Sequence, residues 1–327
     1  MIITRTPLRI SFVGGGTDLR EYYKKETGTV LNTGINKYVY VILKKQIGIV
    51  EHKYRINWSQ VEFKNDIDEI NHPIVREVLR MFKIDFPVEI TTIADIPAGT
   101  GLGSSSSFCV GLIHAVTTMI GLKKTKYELA TLAAEVEVDI LKRSMGKQDH
   151  FASAYGDLNV FTFNTDETIS VEPVFYTYDV KKTLEKNMML FYTGLKRDAS
   201  EVLKTQNKVI KDKRTILSKM RDLVNPLREV LSGKQNMKIF GEILHQSSLL
   251  KKSISPEISN FQIDSYYEKA CAAGAIGGKL LGAGGGGFLL IYARIVDQKK
   301  IIKALNKLAF LKFSFDNSGS RITYYDR

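Results

Sequence analysis

The sequence predicts a mixed α+β protein of two lobes, and three observations carry that expectation. At 327 residues the chain is longer than the ~250 residues at which a single core usually stops growing. Its strand-like and helix-like stretches follow one another without the regular alternation of a βαβ repeat. Glycine-rich segments near residues 14–16, 99–103 and 274–287 divide it into blocks.

Residues 2–12 loosely alternate apolar and polar, which predicts a strand. Residues 29–44, TVLNTGINKYVYVILK, are rich in β-branched and aromatic side chains and predict a buried strand with a turn at Thr33-Gly34. VEITTI at 88–93 alternates again and leads through a glycine loop into a helix on which Phe108, Leu112, Val116 and Met119 recur. Ser104 to Ser107 crowd that helix's start, where serine is a preferred cap. A second helix is predicted over 126–143, with Leu129, Leu132, Ala133, Val136 and Ile140 as its apolar stripe. The chain then reads as β-rich from 157 to 175. MMLFY at 188–192 reads as the first strand of a second domain, so the division is expected at 1–183 and 184–327. Helix follows over roughly 200–230 and on to 250, then strands at 288–292 and 320–325.

The formal charge of +12 admits nucleic acid, an anionic membrane surface or phosphorylated small molecules as partners. Much of the basic excess lies between 196 and 252 as single residues at helix-face intervals, and no basic run interleaves with aromatics as a base-stacking surface requires. No run approaches the ~18 apolar residues of a membrane helix. MIITRTP at the start shows no apolar block before a small-residue cleavage site. Cys109 and Cys271 stand far apart, outside any C-x-x-C pattern, and read as small hydrophobes. His52, His72, His114, His150 and His245 are scattered without metal-ligand spacing. The expectation is a cytoplasmic protein acting on a small molecule, with no nucleic-acid or membrane partner.

Three segments carry chemistry. PAGTGLGSSSS at 97–107 lies between a strand and a helix. Its glycines let backbone approach a ligand closely, and the helix start offers free N–H groups and a positive dipole end to an anion. It lacks the Lys-Ser/Thr of a Walker A loop and the spacing and acidic partner of a dinucleotide fingerprint. Gly146-Lys147-Gln148-Asp149-His150-Phe151 offers a carboxylate at a helix boundary, and Glu137, twelve residues earlier, borders the second helix's apolar stripe. With a serine-rich phosphate loop, two carboxylates make a coherent Mg·ATP site, one for the metal and one for the acceptor proton. Eight glycines between 274 and 287 carry a conformational-entropy cost that close backbone approach would justify, so this segment reads as a second loop closing on the site.

Together TPLRISFVGGGTD, PAGTGLGSSSS and KLLGAGGGGF resemble the three motifs of the GHMP kinases, named for galactokinase, homoserine kinase, mevalonate kinase and phosphomevalonate kinase. They match in order and spacing from residue 4 to 288. The resemblance implies an N-terminal domain like ribosomal protein S5 domain 2, a ferredoxin-like C-terminal domain and ATP in the cleft between them. It implies that Pro97, Gly99, Gly101, Leu102, Gly103, Ser104, Ser105 and Ser106 wrap the ATP phosphates. Glu137 and Ser105 would hold Mg2+, although the run of four serines departs from the family's commoner Ser-Ser-Ala. Asp149 would be the catalytic carboxylate, with Arg9 beside it and the transferred phosphoryl group. Asp18 would bind sugar hydroxyls, with Gly15, Gly16, Thr17, Gly284 and Gly285 around the substrate.

GGGTD, GKQD and TGLKRDAS at 193–200 are most similar to the bacterial D-glycero-D-manno-heptose 7-phosphate kinases. That resemblance implies phosphorylation of the anomeric hydroxyl to the 1,7-bisphosphate, for GDP-heptose and surface polysaccharide synthesis. Lys147, Lys196 and Arg197 are the expected ligands of the phosphate already on the sugar. The alternatives are a GHMP kinase for another sugar, such as fucose or an unphosphorylated heptose, or a nucleotide or sugar sensor without activity.

Overall fold

The computed structural model describes residues 1–195 and 213–326. Strands β1 (Ile2–Val13) and β2 (Gly28–Lys45) pair antiparallel as the spine of an eight-stranded sheet. The second half of β2 pairs β5 (Val88–Ala94), which carries the hairpin of β3 (Tyr54–Asn57) and β4 (Val61–Lys64) to the sheet edge. Its first half pairs β6 (Leu158–Phe163), followed by β7 (Ile169–Pro173). The turn expected at Thr33-Gly34 is therefore absent, and β2 runs through. Gly34 is there for close approach: a Cβ would lie 2.9 Å from the Gly156 Cα, and its backbone bonds Asp157 and Asp316.

Helix α1 (Arg20–Tyr23) is a single turn after β1, and α2 (Pro73–Met81) precedes β5. Helix α3 (Ser104–Met119) packs across β1 and β2. Thr125 caps α4 (Lys126–Ala134) reciprocally: its hydroxyl accepts from the Glu128 N–H, while the Glu128 carboxylate accepts from the Thr125 N–H. The helix predicted over 126–143 does not continue as regular α. It passes into a π-helical turn, Glu135–Ile140, a wide turn found often at functional sites. That turn carries Glu137 into the interior and leaves Ile140, expected in the apolar stripe, 42% exposed.

Helices α5 (Gln148–Tyr155) and α6 (Tyr178–Asn187) follow, and then the second sheet. Its order is β11 (Ala309–Leu311), β8 (Met188–Tyr192), β10 (Phe288–Tyr292), β9 (Gly277–Leu280), all antiparallel. Side chains alternate across it as the pleat requires. Met189, Phe191, Leu289 and Ile291 pack with α10 (Phe261–Ala272) and α11 (Ile295–Ala304); Leu190, Leu290 and Tyr292 face the larger core. Helical backbone over 213–222, here α7, packs Leu217 and Met220 against Leu19, Tyr22, Ile254 and Ile258, while α8 (Val224–Leu231) and α9 (Lys238–Lys252) join the larger core. A Cβ on Gly277 would meet the Gly241 carbonyl at 1.9 Å, so α9 lies directly on β9.

The two sheets share one apolar core, which Phe12 of β1 joins to Phe240 of α9 in an edge-to-face pair 5.3 Å apart. The last strand, β12 (Arg321–Tyr325), returns to pair β1. A division at 183/184 thus cuts α6 and leaves β12 with the first sheet. Among the described residues no helix is long and apolar enough to cross a membrane.

Candidate active site

The three glycine segments meet around one cleft of about 660 Å³ between the lobes. Gly99, Gly101 and Gly103 all have positive φ, and Gly103 caps α3 in the left-handed conformation. Gly101 is also pressed against the third segment, where a Cβ would come within 2.6 Å of the Leu281 carbonyl. These glycines and Ser104, Ser105 and Ser106 line the cleft. Thr100 and Leu102 are buried, and Pro97 lies outside the lining. These three hold the loop: Thr100 Oγ1 donates to the Pro97 carbonyl at 3.0 Å, and the Arg9 N–H donates to the Leu102 carbonyl at 3.0 Å.

Arg9, on β1 and 4% exposed, organises the centre. Its Nε and Nη2 donate to Oδ1 and Oδ2 of Asp149 at 2.6 and 2.5 Å, and its Nη1 to the Gly101 carbonyl at 2.6 Å. Asp149 lies in the first turn of α5. The expected neighbours are thus brought together, with the phosphate loop tied to the same guanidinium.

Asp18 is 2% exposed. Its Oδ1 accepts from the Gly16 N–H at 2.9 Å and Gln148 Nε2 at 3.0 Å, and its Oδ2 from the Gln148 N–H at 3.2 Å. Burial, reinforced by the charge of Asp149, raises the Asp18 pKa against the pull of those N–H groups. Only glycine fits at 146, since a Cβ there would lie 1.9 Å from Asp18 Oδ2. Gly15 and Gly16 line the same wall. Ser11 Oγ and Gln148 Oε1 are buried there without a partner among the described residues, as befits groups that await a polar ligand.

Ser105 Oγ, on the cleft wall, donates to Glu137 Oε1 at 2.6 Å, with Glu137 itself fully buried behind it. The other carboxylate oxygen accepts from His150 Nε2 at 2.9 Å, with both side chains fully buried. Burial works against the charged form of Glu137, but His150, Arg143 and Ser105 outweigh it and lower its pKa. A hydroxyl and a carboxylate are hard oxygen donors of the kind Mg2+ takes alongside substrate oxygens and water. The donor set therefore fits. Arg143 Nη1 donates to both Ser105 Oγ, at 2.7 Å, and Glu137 Oε1, so the guanidinium and a cation compete for the same oxygens.

Other expectations need correction. Lys147 caps α5 but turns away from the cleft, its Nζ 3.6 Å from Glu167 and 5.7 Å from the Tyr23 ring centre. Glu167 also pairs with Arg20 and Lys24, so Lys147 joins a carboxylate-centred cluster of cations away from the cleft lining. Thr17 is fully buried, its hydroxyl donating to the Gly14 and Thr29 carbonyls, and it does not line the cleft. Gly284 and Gly285 pack on the backbone of Ile258 instead, where a Cβ at 284 would come within 2.7 Å; Gly282 and Ala283 line the cleft. Lys196 and Arg197 lie outside the described residues.

Sequence reading passed over Lys251, Lys279, Gln148, Arg143 and His150. Lys279 had a visible signal, a lone charge in the apolar stretch GGKLLG. Lys251 had none, because it is one of several lysines ending a helix.

A loop that offers N–H groups and hydroxyls to phosphate, facing an arginine-held carboxylate across a cleft, suits transfer of a phosphoryl group. The protein is a phosphotransferase. The family description "GHMP kinases N terminal domain" matches residues 72–157, and "GHMP kinases C terminal" matches 227–309. D-glycero-alpha-D-manno-heptose 7-phosphate kinase of Campylobacter jejuni is 30% identical over 317 residues, covering 94% of this chain and 93% of its own. The bifunctional fucokinase/GDP-fucose pyrophosphorylase of Arabidopsis thaliana is 25% identical, over 91% of this chain and 30% of its own. A crystal structure titled as a D-glycero-D-manno-heptose 1-phosphate kinase from Bacteroides thetaiotaomicron superposes with a TM-score of 0.81, at 23% identity and full coverage of both chains. The chain belongs to the GHMP kinase family.

Proposed function

We propose that the protein transfers the γ-phosphoryl group of ATP to the anomeric hydroxyl of D-glycero-D-manno-heptose 7-phosphate. The product would be the 1,7-bisphosphate, which feeds GDP-heptose and surface polysaccharide synthesis. The observation that carries the reading is the Arg9–Asp149 pair, anchored to the phosphate loop at Gly101. The full-length similarity to a heptose 7-phosphate kinase supports the acceptor.

In this reading the loop N–H groups of 99–105 receive the nucleotide phosphates. Ser105 and Glu137 would hold Mg2+, which when bound neutralises phosphate charge. Asp18, with Gln148, orients the sugar hydroxyls. Asp149 positions the acceptor hydroxyl and takes its proton as the oxygen bonds to phosphorus and the bond to the β-phosphate oxygen breaks, releasing ADP. Arg9 orients Asp149 and balances charge on the transferring group. Most of the rate enhancement comes from positioning and charge neutralisation. The lobes, divided near 183/184 apart from β12, would close on the substrates from two sides.

The test is ADP release from MgATP with D-glycero-D-manno-heptose 7-phosphate beside galactose, fucose, mannose and mannose 6-phosphate. Turnover with the heptose phosphate alone supports the reading. Turnover with a free sugar replaces the acceptor, and folded, ATP-binding protein inert to every sugar points to the sensor alternative.

A further inference from the structure

We propose that Lys251 and Lys279 form a phosphate-binding subsite on the second-lobe wall of the cleft, next to the Arg9–Asp149 pair. The inference rests on the reading of the chain as a sugar-phosphate kinase. Lys279 stands on β9, 3% exposed, and its Nζ donates to the Phe12 carbonyl of β1 at 2.8 Å. Lys251 ends α9, and its Nζ donates to the Gly282 carbonyl. Both line the cleft. An ammonium group has three protons to donate, and neither lysine has a carboxylate within ion-pair distance among the described residues.

Burying a cation without an opposite charge is costly. Burial lowers the pKa of both lysines, with Arg9 adding to the effect on each and Lys251 adding to that on Lys279. Each ammonium donates one hydrogen bond to a backbone carbonyl, a demand that a neutral donor would also meet, so the hydrogen bonds alone do not call for two charges. The cleft centre holds Arg9, Lys251 and Lys279 against Asp18 and Asp149, and Arg9 is already spent on Asp149. A phosphate monoester, at about −1.5 to −2 charge with three strong acceptor oxygens, supplies what the two ammonium groups lack.

Position narrows the source. Gly282, which receives Lys251, packs on Gly101 of the phosphate loop, while the charges of Asp149 and Asp18 both reach Lys251. The subsite thus borders the transferring phosphoryl on one side and the acceptor on the other. Lys147, turned to Glu167, is not part of it.

The experiment uses the full chain loaded with MgADP, so that the loop is filled, and measures binding of inorganic phosphate by calorimetry. The variants are Lys251→Met, Lys279→Met and the double substitution, each checked for folding by urea denaturation. Removing an unpaired buried charge should not unfold the protein. The proposal predicts that wild type takes up phosphate and that the double variant binds it at least tenfold more weakly. Equal affinity, or no uptake by wild type, overturns it. Kinetics separate the two sources. A tenfold higher KM for the sugar phosphate at nearly unchanged kcat assigns the subsite to the acceptor's own phosphate. A fall in kcat at unchanged KM assigns it to the transferring group. Wild-type protein that binds phosphate but turns over no sugar phosphate sinks the acceptor reading and leaves the subsite standing.

Discussion

Arg9 grips both carboxylate oxygens of Asp149, at 2.6 and 2.5 Å, while its remaining terminal nitrogen holds the Gly101 carbonyl at 2.6 Å. One residue of β1 therefore sets the carboxylate on α5 and the loop before α3 in a single geometry. Lysine keeps the charge but cannot reproduce a planar fork. Arg9→Lys should lower kcat by about 10²-fold, the scale of a lost oriented charge contact in a transition state, with folding intact by circular dichroism. Wild-type turnover in that variant would remove Arg9 from the mechanism.

Gly146 is required by its neighbour. In Gly146→Ala the new methyl would overlap Asp18 Oδ2, 1.9 Å away, and overpacking of this kind costs about 1–3 kcal/mol. The expected result is a lower urea midpoint together with a raised KM for the acceptor, because Asp18 must move. An unchanged KM would mean that Asp18 does not touch the acceptor.

Glu137 is oriented by His150 on one oxygen and shares Ser105 and Arg143 on the other. Glu137→Gln should raise the Mg2+ concentration for half-maximal rate by about tenfold, in line with losses at metal-site partners. A magnesium titration of the initial rate checks this, and an unaltered midpoint assigns Glu137 to structure alone.

The pH dependence of stability reports on Lys251. Burial, then the nearby charge of Arg9, lowers its pKa from 10.5 to about 8, against the opposing pull of Asp149 and Asp18; Lys279 is a further cation close by. Below pH 8 both folded and unfolded chains carry the proton, and the burial cost is present in full. Between about 8 and 10.5 the unfolded chain binds more protons, so stability rises with pH. Lys251→Met should accordingly be more stable than wild type at pH 7, by at most about 3.5 kcal/mol for a fall from 10.5 to about 8 at ~1.4 kcal/mol per pKa unit. That advantage should shrink by pH 10. Urea midpoints at the two pH values decide it, and a gap independent of pH contradicts the assignment.

The sequence was most legible where one physical demand acted alone. The alternation in β1, the apolar run of β10 and the serine-crowded start of α3 each announced their element. PAGTGLGSSSS and Asp149 stood out by composition and spacing and both line the cleft, with Glu137 buried beside them on Ser105. Local reading failed where tertiary contacts decide. Gly34 resembles a turn residue, yet serves the approach of Gly156 within a continuous strand. The π turn at Glu135–Ile140 has no periodic signature of its own. Lys147 had the expected charge and spacing, but Glu167, distant in sequence, turns it outward. Lys251 is a cleft residue only because Gly282 comes back to it from β9.

Whether Asp149 acts on the acceptor is decided by the turnover of Asp149→Asn with MgATP and the heptose 7-phosphate, beside wild-type protein of matched folding and ATP affinity. The amide keeps the shape but cannot accept a proton or hold charge against Arg9. The kcat should fall by about 10²–10⁴-fold, the range for a positioned acid–base group, with nucleotide binding retained. A wild-type kcat in that variant would contradict that role.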